Sequence, residues 1–126
     1  MEKYCPYDAG VEGLPSKVHY WKLSDSGDGF NIQVYAIDDH EKIINIFFKS
    51  TIAYRSIDEG NRLKLWSEVS MDEDVFIYTV EDSEFIKYFH IQSKNTHEYE
   101  EFKHYFIMTT DDCFDVISKD EISIMT

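Results

Sequence analysis

Five histidines, two cysteines and 25 Asp or Glu residues are the side chains in this 126-residue chain that can bind a metal, attack a carbonyl or move a proton. His90, His97 and His104 stand seven apart. On one continuous helix that spacing would line them along a single face. The apolar pattern ends the helix before His97 and puts His104 in a strand, so the series reads as three unrelated polar residues. His97-Glu98-Tyr99-Glu100-Glu101 begins like the HExxH of zinc proteases. It closes on Glu101 where that motif requires a second histidine. No metal site is expected.

Cys113 beside a histidine would make a nucleophile pair. It falls in an expected β-hairpin, with no helix N-terminus to lower its pKa, and a small buried hydrophobe is the role its setting favours. Carboxylate pairs suited to acid–base work are too numerous for any one to stand out. Neither GxGxxG nor GxxxxGK[ST] occurs, which disfavours a nucleotide-dependent enzyme. Ser24-Asp25-Ser26-Gly27-Asp28-Gly29 tempts a calcium reading, but positions 25, 27 and 29 are Asp, Gly and Gly. A calcium loop needs oxygen ligands at alternate positions, so the segment reads as a tight hairpin turn. No cofactor is expected.

The remaining chemistry is that of binding. Acidic residues cluster at Asp72-Glu73-Asp74, Glu81-Asp82-Ser83-Glu84, Glu98-Tyr99-Glu100-Glu101 and Asp111-Asp112, interleaved with Tyr78, Tyr88 and Tyr99. Tyrosines anchor and carboxylates steer, so Asp72, Glu73, Asp74, Tyr78, Glu81, Glu84, Tyr88, Glu98, Tyr99, Glu100 and Glu101 are the candidate surface for a basic protein. Arg55 closes an apolar strand three residues before Asp58-Glu59-Gly60. There it is expected to brace the turn carboxylates Asp58 and Glu59 by paired hydrogen bonds. The alternative is an anchor at a groove.

Lys and Arg number 12 against 25 Asp and Glu, a net charge of −13 with His neutral. Such a chain repels phosphate backbones and anionic membranes, which excludes direct nucleic-acid binding and membrane binding as expectations. It favours a basic partner. Apolar residues at 43% and 20 aromatic side chains exclude a disordered acidic tail and can fill one core. One domain over residues 1–126 is expected. Cys5 and Cys113, near opposite ends with no secretory h-region, do not make a disulfide framework, and a cytoplasmic setting with free thiols is expected. No apolar run approaches the ~18 residues of a spanning helix.

The elements that must position these residues are mostly strands. Both prolines and four of five glycines lie in the first 29 residues, a turn-rich segment with room for one strand, Val18 to Leu23. Phe30, Ile32, Val34 and Ala36 alternate with Asn31, Gln33 and Tyr35, the period of a half-buried strand. Ile44, Ile46 and Phe48 resume it after a polar connection at 38–41. Ile52 and Tyr54 are expected to continue that strand past a bulge. Leu63 to Trp66 and Val75 to Val80 read as further strands. Asp82 is the expected N-cap of a helix over 83–93 whose Phe85, Ile86 and Phe89 share a face. Phe102, His104, Phe106 and Met108 then alternate, Asp111-Asp112 turns, and Cys113 to Ser118 completes a hairpin. Ile122 and Ile124 add a short edge. The expected fold is α+β: a single, mostly antiparallel twisted sheet with at least one helix packed on it.

Phe47-Phe48, Tyr54-Arg55-Ser56-Ile57-Asp58-Glu59-Gly60, Val80-Glu81-Asp82-Ser83-Glu84-Phe85-Ile86, His104 to Thr109 and Asp115-Val116-Ile117-Ser118 together resemble small bacterial immunity proteins of the polymorphic-toxin and contact-dependent inhibition kind. The resemblance spans about residues 30–120 in style, without a diagnostic motif. It implies an acidic single domain that binds one cognate toxin, often a basic nuclease, and blocks it by occlusion without chemistry. The competing reading is a small-ligand or enzymatic α+β domain with an aromatic pocket, using His104 or a carboxylate as acid or base. A large apolar cavity with converging polar groups would favour that reading, and a filled core would count against it.

Overall fold

The computed structural model describes residues 2–58, 75–93 and 101–126. Nine strands and one helix follow one another in these segments. They are β1 (Lys3–Pro6), β2 (Val18–Ser26), β3 (Gly29–Ala36), β4 (Asp39–Phe48), β5 (Thr51–Asp58), β6 (Ile77–Glu81), α1 (Glu84–Gln92), β7 (Lys103–Met108), β8 (Asp112–Ser118) and β9 (Ser123–Met125). The strands form two sheets rather than the single one expected. One has five strands in the order β1-β6-β7-β8-β5, and the other has four in the order β2-β3-β4-β9. Every pairing is antiparallel.

The single-sheet expectation fails at Lys49-Ser50. The alternation of β4 does not run on through a bulge into Ile52 and Tyr54. The chain changes sheet there, and β5 pairs with β8 instead. Hydrophobic period alone cannot distinguish a bulged strand from two strands in facing sheets, because both keep one face apolar. The helix occupies 84–92, as its spacing predicts, but Ser83 rather than Asp82 caps it. Asp82 instead takes a positive φ of 55°. β1 was not expected, and the Leu63–Trp66 strand lies outside the described residues.

The two sheets pack face to face. Phe30, Ile32, Val34, Ile44, Ile46 and Phe48 from the four-stranded sheet meet Ile77, Tyr105, Ile107, Phe114 and Val116 from the five-stranded one in a common core. The other face of the five-stranded sheet holds a second cluster, Tyr4, Tyr78, Val80, Phe106 and Cys113. α1 lies on that side, with Phe85 buried and its ring 5.7 Å from that of His104. The molecule is thus a helix, a five-stranded sheet and a four-stranded sheet in layers. A sheet covered on both faces needs apolar side chains in both directions, and β8 is buried at six consecutive positions, 113–118. β3 instead alternates strictly, because only one of its faces is covered.

The face of the four-stranded sheet that no other described element covers carries three cross-strand rows. Register places His19, Tyr35 and Ile43 in one row. Lys22, Gln33, Asn45 and Met125 form the next, and Ser24, Asn31, Phe47 and Ser123 the third. None of these side chains is buried. Near one end of the common core, Tyr7 and Tyr105 both donate to Glu121 Oε2, at 3.1 and 3.2 Å, and Lys103 pairs with Glu121 Oε1. Burial and then this carboxylate push both phenols above their ordinary pKa, and Lys103 holds Glu121 below its own. Cys5 and Cys113 are both free thiols. No described helix is long and apolar enough to cross a membrane.

Candidate functional site

The site is built around α1. Ser83 takes an extended conformation and its Oγ accepts from the Ile86 amide at 3.0 Å, satisfying one of the helix's unpaired N–H groups. The Glu84 amide donates to Glu2 Oε2 at 3.0 Å, so a second first-turn N–H is also met by an oxygen, and an acidic one. At the other end Ser93 Oγ donates to the Phe89 carbonyl at 2.9 Å. Both ends of this short helix are therefore capped.

Beneath its N-terminus runs a buried polar chain. Ser83 Oγ lies 2.6 Å from His104 Nδ1, and His104 Nε2 lies 2.7 Å from Asp115 Oδ1. Arg55 Nε donates to Asp115 Oδ2 at 2.9 Å. The side chains of His104 and Asp115 have no solvent exposure. β5 and β8 place Arg55 and Asp115 directly opposite each other, and β7 supplies His104 from the same side of the sheet. The Arg55 guanidinium then reaches over the Phe85 ring, 4.3 Å from its centroid. A carboxylate this deep stays ionised only with partners, and Arg55 and His104 supply them. Asp115 as a carboxylate only accepts, so His104 Nε2 carries a proton. In the neutral ring Nδ1 then accepts from the Ser83 hydroxyl, which itself accepts from the Ile86 amide.

Serine, histidine and aspartate in this order match the parts of a nucleophilic triad. The geometry assigns them another task. Ser83 is buried and its oxygen is committed to the helix cap, leaving no free approach for a reacting carbonyl. A concavity of about 290 Å³ opens elsewhere, between Tyr7, Val11, Leu14, Phe76 and Ile77. Its carboxylate, Asp8, is engaged by the Gly10 amide at 2.9 Å. The polar chain therefore serves to fix α1 on the sheet.

What α1 presents outward is Tyr88, 59% exposed, and Ile91, 69% exposed, three residues apart on one face. Glu81 and Glu84 are exposed near its start. Asp82 is exposed as well, and its Oδ1 pairs with Lys87 Nζ at 2.7 Å. That hydrogen bond holds the Asp82 carboxyl down to a pKa of about 2. No family model, curated protein or solved structure matches the chain.

Of the residues expected to bind a partner, the structure brings Glu81, Glu84 and Tyr88 to this surface. Glu101 is exposed at the start of the segment leading into β7. Tyr78 is corrected: its ring is wholly buried and its hydroxyl donates to the Val75 carbonyl, so it is a core residue. Its strand has apolar contacts on both faces, which outward-facing alternation does not predict. Asp72, Glu73, Asp74, Glu98, Tyr99 and Glu100 lie outside the described residues, as do Glu59 and Gly60. Asp58 ends β5, and Arg55 pairs with Asp115, a partner its local sequence does not suggest. Ser83 and Asp115 were missed. Asp115 had a signal: one carboxylate inside Cys113-Phe114-Asp115-Val116-Ile117. His104 had another, an inward position between Phe102 and Phe106.

Proposed function

We propose that this chain is a protein-binding module that receives a basic partner on α1, in the manner of an immunity protein covering a toxin. The observation that carries the reading is the pair of exposed apolar side chains, Tyr88 and Ile91, on a helix held at both ends and beside exposed carboxylates. Interface anchors are apolar or aromatic groups on rigid supports, with charges around them that steer the encounter. The charge of −13 gives that steering its sign. A basic toxin domain would be covered rather than chemically altered, which fits a polar chain spent on anchoring the helix.

The test is co-expression with basic proteins encoded by adjacent genes, followed by calorimetry of any complex at low and high salt. A complex is expected whose affinity falls with salt and drops by roughly tenfold or more when Tyr88→Ala and Ile91→Ser are combined, the scale of a truncated anchor. A complex indifferent to both changes, or none with any such product, overturns the reading.

A further inference from the structure

We propose that the open face of the four-stranded sheet is where two copies of this chain associate, sheet against sheet. The chain holds 25 carboxylates, yet the three rows on this face hold none, and their single formal charge is Lys22. Carboxylates resume only at the periphery, where Asp111 lies 3.9 Å from His19 Nδ1 and exposed Asp39 and Glu41 begin β4. Charge depletion in the middle of a patch, with polar groups at its rim, is the compositional mark of a protein interface.

The depletion also selects the occupant. A basic partner is drawn to carboxylates, and this face offers it none. A second copy is repelled by a −13 chain wherever carboxylates meet, and this face removes that cost. The side chains are suited to it. Tyr35, Ile43 and Phe47 supply apolar area, and Trp21 and Met125 are 51% and 55% exposed beside them. The Trp21 ring stands edge-on to Tyr35, 6.5 Å between centroids. At the centre Asn45 Oδ1 accepts from Asn31 Nδ2 at 3.0 Å and Gln33 Nε2 at 2.7 Å, a neutral polar ladder. Amides carry both donors and acceptors, so such a ladder is compatible with its own two-fold mate. Three strands about seven residues long and the three-residue β9, about 4.8 Å apart, cover roughly 400 Å² in plan. Side-chain relief brings that towards the ~800 Å² per partner of a standard interface.

Analytical ultracentrifugation of the full chain, from micromolar to hundreds of micromolar, tests this. A monomer–dimer equilibrium is expected that tightens as salt screens the two like-charged copies, the opposite trend to capture of a basic partner. Asn45→Asp keeps the oxygen that accepts from Asn31 and Gln33, so the monomer retains its fold by circular dichroism. It places a carboxylate in the central row of each copy and is expected to raise the dimer Kd about tenfold or more. Met125→Glu, at an exposed position, is expected to act in the same direction. A chain that stays monomeric at high salt and high concentration overturns the proposal. So does a dimer that both substitutions leave unchanged, which places the contact elsewhere.

Discussion

The two outer layers of the molecule handle polar side chains in opposite ways. Under α1, histidine, serine and aspartate are taken out of water and every one is hydrogen-bonded, with the exposed Arg55 closing the chain from the solvent side. On the open sheet face, His19, Gln33 and Asn45 stay partly exposed, and carboxylates are left out. Burial makes a polar group expensive unless it is paired, so the first layer becomes rigid and specific. Solvent removes that requirement, so the second layer owes little of its stability to any single polar side chain. The helix side holds one surface in a fixed position, and the sheet side keeps another neutral.

The sharpest way to break this comparison is to remove one histidine from each region. His104→Ala takes away the ring against Phe85 and the partners of both Ser83 and Asp115, and is expected to cost about 3–5 kcal/mol in urea unfolding. His19→Ala, at a partly exposed ring, is expected to cost less than about 1 kcal/mol. Equal losses would erase the distinction. Ser83→Ala removes the cap and the hydroxyl facing His104 together, for about 1–2 kcal/mol, and faster amide exchange in the first turn of α1 should accompany it.

A smaller effect separates both layers from the core between them. Tyr7 and Tyr105 have folded pKa values raised above the 10.0 of a free phenol. Their contribution is whole below pH 10 and is lost as pH rises through the folded values. Absorbance at 295 nm should therefore show these two titrating after the exposed tyrosines, with stability declining above pH 10. The smallest expected effect is local. Lys87→Met should return the Asp82 carboxyl from about 2 towards its ordinary 3.8, read by NMR titration, with little change in unfolding because the pair is exposed. In the wild type the contribution of that pair is lost only as pH falls towards about 2, the sign expected for a depressed acid.

Strand and helix positions were legible where one face is wet. β3 alternates in sequence because it alternates in space, and α1 was legible from Phe85, Ile86 and Phe89. The division into two sheets was not, since the decisive event is a change of partner at Lys49-Ser50 that alters no local pattern. β1 was invisible because four residues ending in proline carry too little period. For the site, Tyr88, Glu81 and Glu84 were legible as polar-face residues. The chain of Ser83, His104, Asp115 and Arg55 was not, because its members come from four separate segments and meet only through register.

The change of sheet at Lys49-Ser50 also sets a timetable for synthesis. β2, β3 and β4 form a meander of neighbours that is complete once Phe48 has been made. Its inner row of Phe30, Ile32, Val34, Ile44, Ile46 and Phe48 then has nothing to close on, because β5 waits for β8 and β6 waits for β7. A nascent chain of this protein therefore carries a half-built sandwich with a bare greasy side while most of the second half is translated. Local hairpins are quick and distant pairings are slow. That interval is when a holdase would find something to grip, and when crowded synthesis would favour clumping over folding.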